Sequence, residues 1–458
     1  MSVNAPGGPS VEDDAAEGST RSTVAATAAT TAPIEGGLRD YWHNYIQRIR
    51  GGDMGSLPAV GGLIVLAVLF SGIQPVFRSV YNFANMFTEG AGEIFIAMGI
   101  VFVLLLGEID LSAGTAGGVC AFVMVRLTAG FNQPWPVSVG AGLLTGIVIG
   151  LLIGWLRAKL RIPSFIVTLA FFLAFQGVAL LISNWAKGPT GAVPVTDHVV
   201  VDFTNANMPV WLGWVMAAII VAIYAGLKLA AANGRRKQGL IGEPMSVMGV
   251  KILGLAVVTV LAVYALSINR AANKTPVLHY VNGQYVKVAP PALEGVPWVV
   301  PIMLICFAIL TFLLNRTRYG RHVYAVGGNE EAARRAGIAV DRIRISVFVI
   351  CSLMAAIGGI EIASNVGGVS EQSYNGNILL LAVGAAVIGG TSLFGGRGRV
   401  IDAIIGGAVV EVIQNGLADL VKGANGPAVQ YVVTGAVLLL AAAVDALSRR
   451  RAGSTGLA

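Results

Sequence analysis

Twelve stretches of this chain are apolar over the roughly 20 residues that a helix needs to cross a lipid bilayer. They are residues 57–79, 84–106, 113–130, 135–156, 162–183, 210–232, 252–269, 298–315, 345–363, 377–394, 400–421 and 427–446. Only 12% of the 458 residues are charged, whereas soluble domains carry roughly 25%. The pattern predicts an all-α, polytopic helical membrane protein with about 10–12 transmembrane helices.

Two carboxylates interrupt one apolar region, in the stretch "LLLGEIDLSAGTAGGV". An ionised carboxylate in hydrocarbon is costly unless it is satisfied. Gly107 is suited to end one helix, and Asp110 or Ser112 to cap the next, which predicts a broken helix pair near 107–113. Contact with a transported solute is the alternative for Asp110, since non-helical backbone at this depth requires a protein-lined or water-filled cavity. Glu108 has no evident capping role and therefore requires a partner.

Basic side chains concentrate in every second segment between the predicted helices. Arg157, Lys159 and Arg161 fall in one such segment, and residues 449–451 are three consecutive arginines at the end of the chain. By the positive-inside rule these segments and both termini are cytoplasmic. The net charge of +7 is explained by this location, so no nucleic acid partner is expected.

The chain divides by composition into four regions. We predict a disordered cytoplasmic tail over 1–36, an interfacial amphipathic segment over 37–56, a transmembrane domain over 57–448 and a basic cytoplasmic tail over 449–458.

In an outer loop, "HYVNGQYVKV" places Asn-Gly between two β-prone runs and predicts a hairpin. The three cysteines and four histidines lack CxxC or HExxH spacing, so neither a disulfide framework nor a metal site is predicted.

A loop over 316–344 contains a complete short helix that is too polar to cross a membrane. Asn329 is a good N-cap, acidic Glu330 and Glu331 occupy the first turn, and Gly337 provides the stop after two arginines. The segment is either a solvated connector or a rigid element on which a cytoplasmic motor subunit docks.

Polar residues in or beside the apolar runs are candidates for a solute pathway, because amides and carboxylates offer donors and acceptors to hydroxyl groups. The candidates are Glu108, Asp110, Ser112, Glu361, Asn365, Glu371, Gln372 and Asn375. The alternative for those after residue 360 is a plain outer loop. Gln414 and Asn415 either line the solute pathway or form hydrogen bonds to neighbouring helices. The Gly-dense stretch "GGTSLFGGRG" predicts a tight turn near a cytoplasmic gate, with Gly390, Thr391, Ser392 and Phe394.

Several blocks resemble the permease subunits of ribose/xylose-type sugar ABC importers. The blocks are "GEIDLSAG", "KLRIPSFIVTLAF", "TRYGRHVYAVGGNEEAARRAGI", "AAVIGGTSLFGGRGRV" and "NGL", in the family's order over roughly residues 90–420. The longer "TSLFGGRG" form is similar to the xylose-type branch. The chain departs from the ribose-type pattern by Glu108 in place of Gly, Ala113 in place of Val, and an inserted span pair and loop over about 233–295.

The resemblance implies partners and site residues. It implies a cytoplasmic ABC ATPase that docks on Gly320, Arg321, Asn329, Glu330, Glu331, Ala332, Ala333 and Gly337. It also implies an extracytoplasmic sugar-binding protein, a homodimer and a location in the bacterial cytoplasmic membrane. ATP and magnesium would bind the partner ATPase, since this chain has no G-x-x-x-x-G-K-[ST] motif and no cofactor of its own is expected.

The expected function is import of a monosaccharide, xylose or another pentose, by a transport subunit without catalytic residues. The alternative is an ion- or proton-coupled secondary transporter of a small polar solute, for which Glu108, Asp110 and Glu361 are the candidate coupling groups. A membrane enzyme finds no support, because no acid cluster accompanies a metal or nucleotide motif.

Overall fold

The computed structural model describes residues 43, 55–184, 192–238, 244–271, 277–281, 284–288, 292–370, 374, 376–420 and 426–454. Sixteen helices lie in these residues: α1 (Leu57–Ile73), α2 (Val80–Glu89), α3 (Ala91–Leu105), α4 (Ala113–Val125), α5 (Trp135–Lys159), α6 (Ser164–Ser183), α7 (His198–Asn205), α8 (Val210–Lys237), α9 (Met245–Ser267), α10 (Val299–Arg316), α11 (Arg318–Gly328), α12 (Glu330–Arg335), α13 (Val340–Val366), α14 (Gly376–Ile388), α15 (Val400–Leu420) and α16 (Gly426–Ser454). A π-helical turn, Arg126–Gly130, continues α4. The four short strands are β1 (Val193–Pro194), β2 (Val277–Val281), β3 (Gln284–Val288) and β4 (Gly368–Val369).

The polytopic helical prediction is confirmed. Among the described residues, eight helices are long and apolar enough to cross a membrane, and α2 and α3, bent by 43°, form either a broken ninth span or a re-entrant loop. Three shorter apolar helices, within α1, α14 and α16, correspond to the remaining predicted spans. The predicted first span is too long, because α1 ends at Ile73 before Pro75 and a new helix begins after Ser79.

The core forms around α13, which packs against α3, α4 and α5. Small residues on α5 allow this close approach. A Cβ at Gly150 would lie 2.5 Å from the Cα of Val349, and one at Gly154 would lie 2.8 Å from the Cα of Ile345. The sequence therefore uses glycine where two helix backbones meet.

Two predicted interruptions of helix are confirmed and lie against each other. Gly107 follows α3 with φ of +69°, and the segment after α14 contains Gly395 with φ of +85°. The backbone N–H of Gly396 donates to the carbonyl of Leu105 at 2.9 Å. A Cβ at Gly327, at the end of α11, would overlap the same carbonyl. The end of α3 is thus enclosed by two glycine-containing segments.

The loops contain elements that the sequence only partly predicted. The hairpin is confirmed as antiparallel β2 and β3, with its Asn-Gly turn outside the described residues. Helices α7 and α11 were not predicted, and β1 pairs with β4. The tail over 1–36 and nearly all of 37–56 also lie outside the described residues, while α16 continues through the predicted basic tail as far as Ser454.

By packing, Ala218–Thr259 belong to one compact unit, and Gly51–Ala217 with Val260–Ala458 form another. All contacts discussed below lie within the latter.

Candidate functional site

The bend between α2 and α3 places two acidic side chains beside a hinge-like glycine. Gly90 ends α2 and precedes α3, with Glu89 before it and Glu93 in the first turn after it. The N–H groups that open a helix favour negative charge, so Glu93 is favourably placed. Neither residue was among the candidates predicted from the sequence.

Two further glutamates from distant helices contact this bend. A Cβ at Gly90 would lie 3.1 Å from Oε2 of Glu411, and a Cβ at Gly92 would lie 2.5 Å from Oε2 of Glu361. Glu361 is fully buried and Glu411 is 6% exposed. The bend therefore has room for these carboxylates only because it presents glycine to them.

Amide side chains complete the group. Gln414 Nε2 donates to Glu93 Oε2 at 3.2 Å, and the backbone carbonyl of Gln414 accepts from Gln430 Nε2 at 2.9 Å. Asn415 Oδ1 accepts from Asn82 Nδ2 at 2.6 Å. The prediction that Gln414 and Asn415 bond neighbouring helices is confirmed.

The predicted candidates Glu361 and Asn365 both lie at this place. Asn365 Nδ2 donates to the carbonyl of Thr88 on α2 at 2.9 Å, and the hydroxyl of Thr204 on α7 donates to Glu361 Oε1 at 3.5 Å. Oε2 of Glu361 is buried with no hydrogen-bond partner in the described part of the chain. We call Glu89, Glu93, Glu361, Asn365, Glu411 and Gln414 the bend cluster.

The chemistry of the bend cluster is that of a hydroxyl-binding surface. Carboxyl groups accept hydrogen bonds and amides both donate and accept, which suits a polyhydroxylated solute. Within the described residues, Glu93, Glu361 and Glu411 form no ion pair, and no three His, Cys, Asp or Glu side chains are grouped to hold a metal ion. The cluster therefore has acceptor capacity that the described contacts leave unused.

Glu108 lies at the other end of α3 and has the partners that the sequence required. Its two oxygens accept from Arg157 Nε at 3.0 and 2.9 Å, and Oε1 accepts from Arg344 Nε at 2.9 Å. Arg344 in turn donates from its terminal nitrogen to Glu330 Oε2 at 2.8 Å. We call Glu108, Arg157, Arg344 and Glu330 the ion-pair cluster.

The ion-pair cluster joins a predicted pathway residue to a predicted docking residue. The side chains of Glu108 and Arg344 are each 6% exposed, whereas that of Glu330 is 44% exposed. Partial burial by itself would raise the pKa of Glu330. The hydrogen bonds and charges of Arg344 and Arg334 outweigh it, so the pKa of Glu330 lies below its ordinary 4.5.

Asp110 acts within the turn that precedes α4. Its Oδ1 accepts from the backbone N–H of Ser112 at 2.9 Å and from the Ser112 hydroxyl at 2.7 Å. Ser112 occupies the N-cap position but makes no side-chain cap hydrogen bond. The prediction that Asp110 or Ser112 caps α4 is therefore not confirmed, because Asp110 accepts from the N-cap residue itself and closes the turn before the helix.

The predicted short polar helix is confirmed as α12. Asn329 is its N-cap and accepts from the N–H of Ala332 at 2.9 Å, and Gly337 follows its end with φ of +80°. Six of the eight predicted docking residues are exposed: Arg321, Asn329, Glu330, Glu331, Ala332 and Gly337. Gly320 and Ala333 are buried, and a Cβ at Gly320 would overlap the carbonyl of Leu314, so these two hold the loop together.

The predicted gate residues form the turn between α14 and α15. Gly390 has φ of +118°, Thr391 and Ser392 are buried, and Phe394 is 65% exposed. The Thr391 hydroxyl donates to Asp402 Oδ2 at 3.4 Å. The pathway candidates Glu371, Gln372 and Asn375 lie outside the described residues.

Comparison with known proteins identifies a family of transport permeases. A family model described as "Branched-chain amino acid transport system / permease component" matches residues 82–223 and 201–442. No solved structure matches the chain.

Named relatives extend the match over most of the chain. The xylose transport system permease protein XylH of Escherichia coli (strain K12) is 33% identical over 398 residues, covering 86% of this chain and 92% of the relative. XylH of Haemophilus influenzae is 28% identical over 389 residues, covering 85% and 95%. The ribose import permease protein RbsC of Escherichia coli (strain K12) is 28% identical over 384 residues, covering 84% and 91%. This chain therefore belongs to that transport-system permease family, beside the xylose and ribose permeases.

Proposed function

We propose that this chain is the transmembrane subunit of an ATP-driven importer that moves a monosaccharide, xylose or another pentose, into the bacterial cytoplasm. The observation that carries the proposal is the bend cluster. Polar side chains inside transmembrane segments are expensive and mark solute or ion pathways. Here they come together from α2, α3, α13 and α15 in a form that suits sugar hydroxyls.

The named relatives support the choice of solute. Two are xylose permeases and one is a ribose permease by name. Pentoses carry several hydroxyl groups, each of which donates and accepts, and the bend cluster presents both carboxylates and amides. The relatives support the choice of a pentose, and the geometry supports the bend cluster as the place of passage.

ATP would be hydrolysed on a separate cytoplasmic ATPase that docks on α12. Support comes from the exposed, well-capped α12 and from the absence of a phosphate-binding motif in this sequence. A sugar-binding protein on the outer side would deliver the solute, and two copies of this chain would form the permease. In this orientation both termini and α12 face the cytoplasm, and the bend cluster lies toward the outer face.

The competing proposal is coupling to protons or ions, for which the glutamates of the bend cluster are the available groups. The two proposals differ in energy source. Uptake of labelled xylose is compared between cells that express the chain with its ATPase and binding protein and cells that lack only this chain.

Our proposal expects uptake that requires the chain, stops on ATP depletion and continues with an uncoupler while ATP is maintained. Competition by a panel of pentoses and hexoses then identifies the preferred sugar. Uptake that survives ATP depletion but collapses with the uncoupler would favour the secondary transporter.

A further inference from the structure

Glu108 lies in a segment that is held on two sides. The segment connects α3 to α4, and the Glu108 N–H donates to the carbonyl of Val103 at 3.2 Å. The next residue, Ile109, donates its N–H to Ser164 Oγ at 3.3 Å, and its carbonyl accepts from the Thr168 hydroxyl at 3.3 Å. The backbone is therefore fixed to the start of α6, while the Glu108 side chain faces the arginines.

The ion-pair cluster continues from this segment to α12 without a gap. Arg157 at the end of α5 and Arg344 at the start of α13 both contact Glu108, and Arg344 also contacts Glu330. Two carboxylates and two guanidinium groups balance in charge. The planar guanidinium of Arg344 can hold two carboxylates at once from separate nitrogens, which a lysine cannot do in the same geometry.

Movement of α12 must act on this cluster. If α12 moved away alone, the Arg344 side chain, which is 6% exposed, would lose one of its two carboxylate partners, and a buried charge short of partners is costly. Joint movement of α12, Arg344 and Glu108 keeps the ion pairs. A second contact leads to the same place, since Gly327 at the end of α11 packs on the carbonyl of Leu105 at the end of α3.

We infer that Glu108 is a positioning residue that couples α12 to the break between α3 and α4, so that movement of the docked helix reaches the transmembrane path. The inference rests on the proposed function. It assigns Glu108 to transmission of movement, through Arg344, and not to contact with the sugar.

The test is a coupling ratio measured on the complete transporter. The chain is reconstituted in proteoliposomes with its ATPase and binding protein, and ATP hydrolysis and xylose uptake are measured on the same vesicles. In E108Q we expect the ATP hydrolysed per sugar transported to rise by about fivefold or more, the lower end of usual coupling between sites. R344K keeps the charge but loses the double contact, so the ratio rises there too.

The control is D202N, which removes one exposed carboxylate on α7 and is expected to leave the ratio at the wild-type value. Should E108Q fail to assemble with the ATPase, R344K decides the question.

Three outcomes are distinguishable. A ratio that stays at the wild-type value in assembled E108Q and R344K overturns the inference. A parallel fall of both rates, with less folded protein and an unchanged ratio, also overturns it, because that is a purely structural effect. Absence of ATP-driven uptake in the wild-type complex instead contradicts the proposed function.

Discussion

The bend cluster and the ion-pair cluster lie at opposite ends of α3, which runs for about 18 Å from Glu93 to Leu105. At one end Glu108 has two arginine partners at 3.0 Å or less. At the other end Glu361 and Glu411 contact glycine backbone and a hydroxyl, with no cationic partner among the described residues. Glutamate is thus charge-balanced in the ion-pair cluster, whereas the glutamates of the bend cluster keep acceptor capacity that the described contacts leave unused.

This difference separates two uses of a buried carboxylate. A carboxylate between arginines is fixed, because releasing it leaves charges buried without partners. A carboxylate that contacts only neutral groups costs the protein stability, and it can accept hydrogen bonds from a passing solute. The comparison predicts that substitution in the ion-pair cluster destabilises the fold, whereas substitution of a glutamate in the bend cluster reduces transport.

The largest expected effect on stability is that of Arg344→Ala. The variant leaves Glu330 without its buried partner and Glu108 with Arg157 alone. We expect the free energy of unfolding to fall by about 3 kcal/mol, the lower part of the range for breaking a buried pair. Unfolding in detergent, followed by circular dichroism, measures it.

The matched control is Arg335→Ala on α12, where the partner Glu331 is 3.4 Å away and both side chains are over three-quarters exposed. Arg335→Ala should change the free energy of unfolding by no more than about 0.5 kcal/mol. Equal losses in the two variants would contradict the contrast between buried and exposed pairs.

A second variant closes the space that the bend cluster occupies. In Gly92→Ala the added Cβ would lie 2.5 Å from Glu361 Oε2 and from Ile362 Cγ1. Overpacking of about 1–3 kcal/mol should exceed the gain of up to about 1 kcal/mol in helix propensity. The midpoint of thermal unfolding is expected to fall.

Its control is Gly177→Ala on α6, where a Cβ would meet nothing within 4 Å. This variant should be as stable as wild type or more stable. If both alanine variants were equally stable, Glu361 would not be packed on the bend as described.

Glu361→Gln separates transport from stability. The amide keeps the side-chain shape, and the unpaired Oε2 gives it no ion pair to lose. We expect the free energy of unfolding to change by less than about 1 kcal/mol. A hydrogen bond between neutral groups is worth about 1 kcal/mol, so xylose uptake should fall about fivefold.

The stability of Glu361→Gln and its rate of xylose uptake are measured on one preparation, by thermal unfolding and by uptake into vesicles. Unchanged uptake at unchanged stability would remove Glu361 from the pathway.

The smallest effect concerns pH. Because the pKa of Glu330 is lowered in the folded protein, its contribution to stability is complete above its ordinary 4.5 and is lost as the pH falls through the native value. The difference in unfolding midpoint between wild type and Glu330→Gln should therefore be present near pH 6 and shrink progressively as the pH is lowered below 4.5. A difference that stays constant over this interval would mean that Glu330 has no ion pair in solution.

The sequence predicted features that depend on neighbouring residues. Apolar length located the spans, Asn329 and Gly337 set the limits of α12, and Gly107 marked the break. Helix α11 was not predicted because its three glycines weaken the helical pattern, although Thr317 is its N-cap and accepts from the N–H of Gly320.

Contacts between distant residues could not be predicted in this way. Glu108 and Arg344 are 236 positions apart, and no local pattern pairs them. Glu93 and Glu411 did leave a signal, since each is a lone acid inside an apolar run. That signal identifies candidates, and only the fold shows that they meet at one bend.

The claim that the bend cluster lines the sugar path is tested most directly by thiol labelling of Gln414→Cys in the reconstituted complex. Cys120 and Cys351 are buried and Cys306 is half-buried, so the labelling of wild type is measured and subtracted as the background. Asp202→Cys on the exposed face of α7 gives full reaction. The account predicts that a charged, membrane-impermeant thiol reagent modifies Gln414→Cys during ATP turnover, and that xylose with its binding protein slows the reaction. Labelling that stays at the wild-type background in every nucleotide state would contradict it.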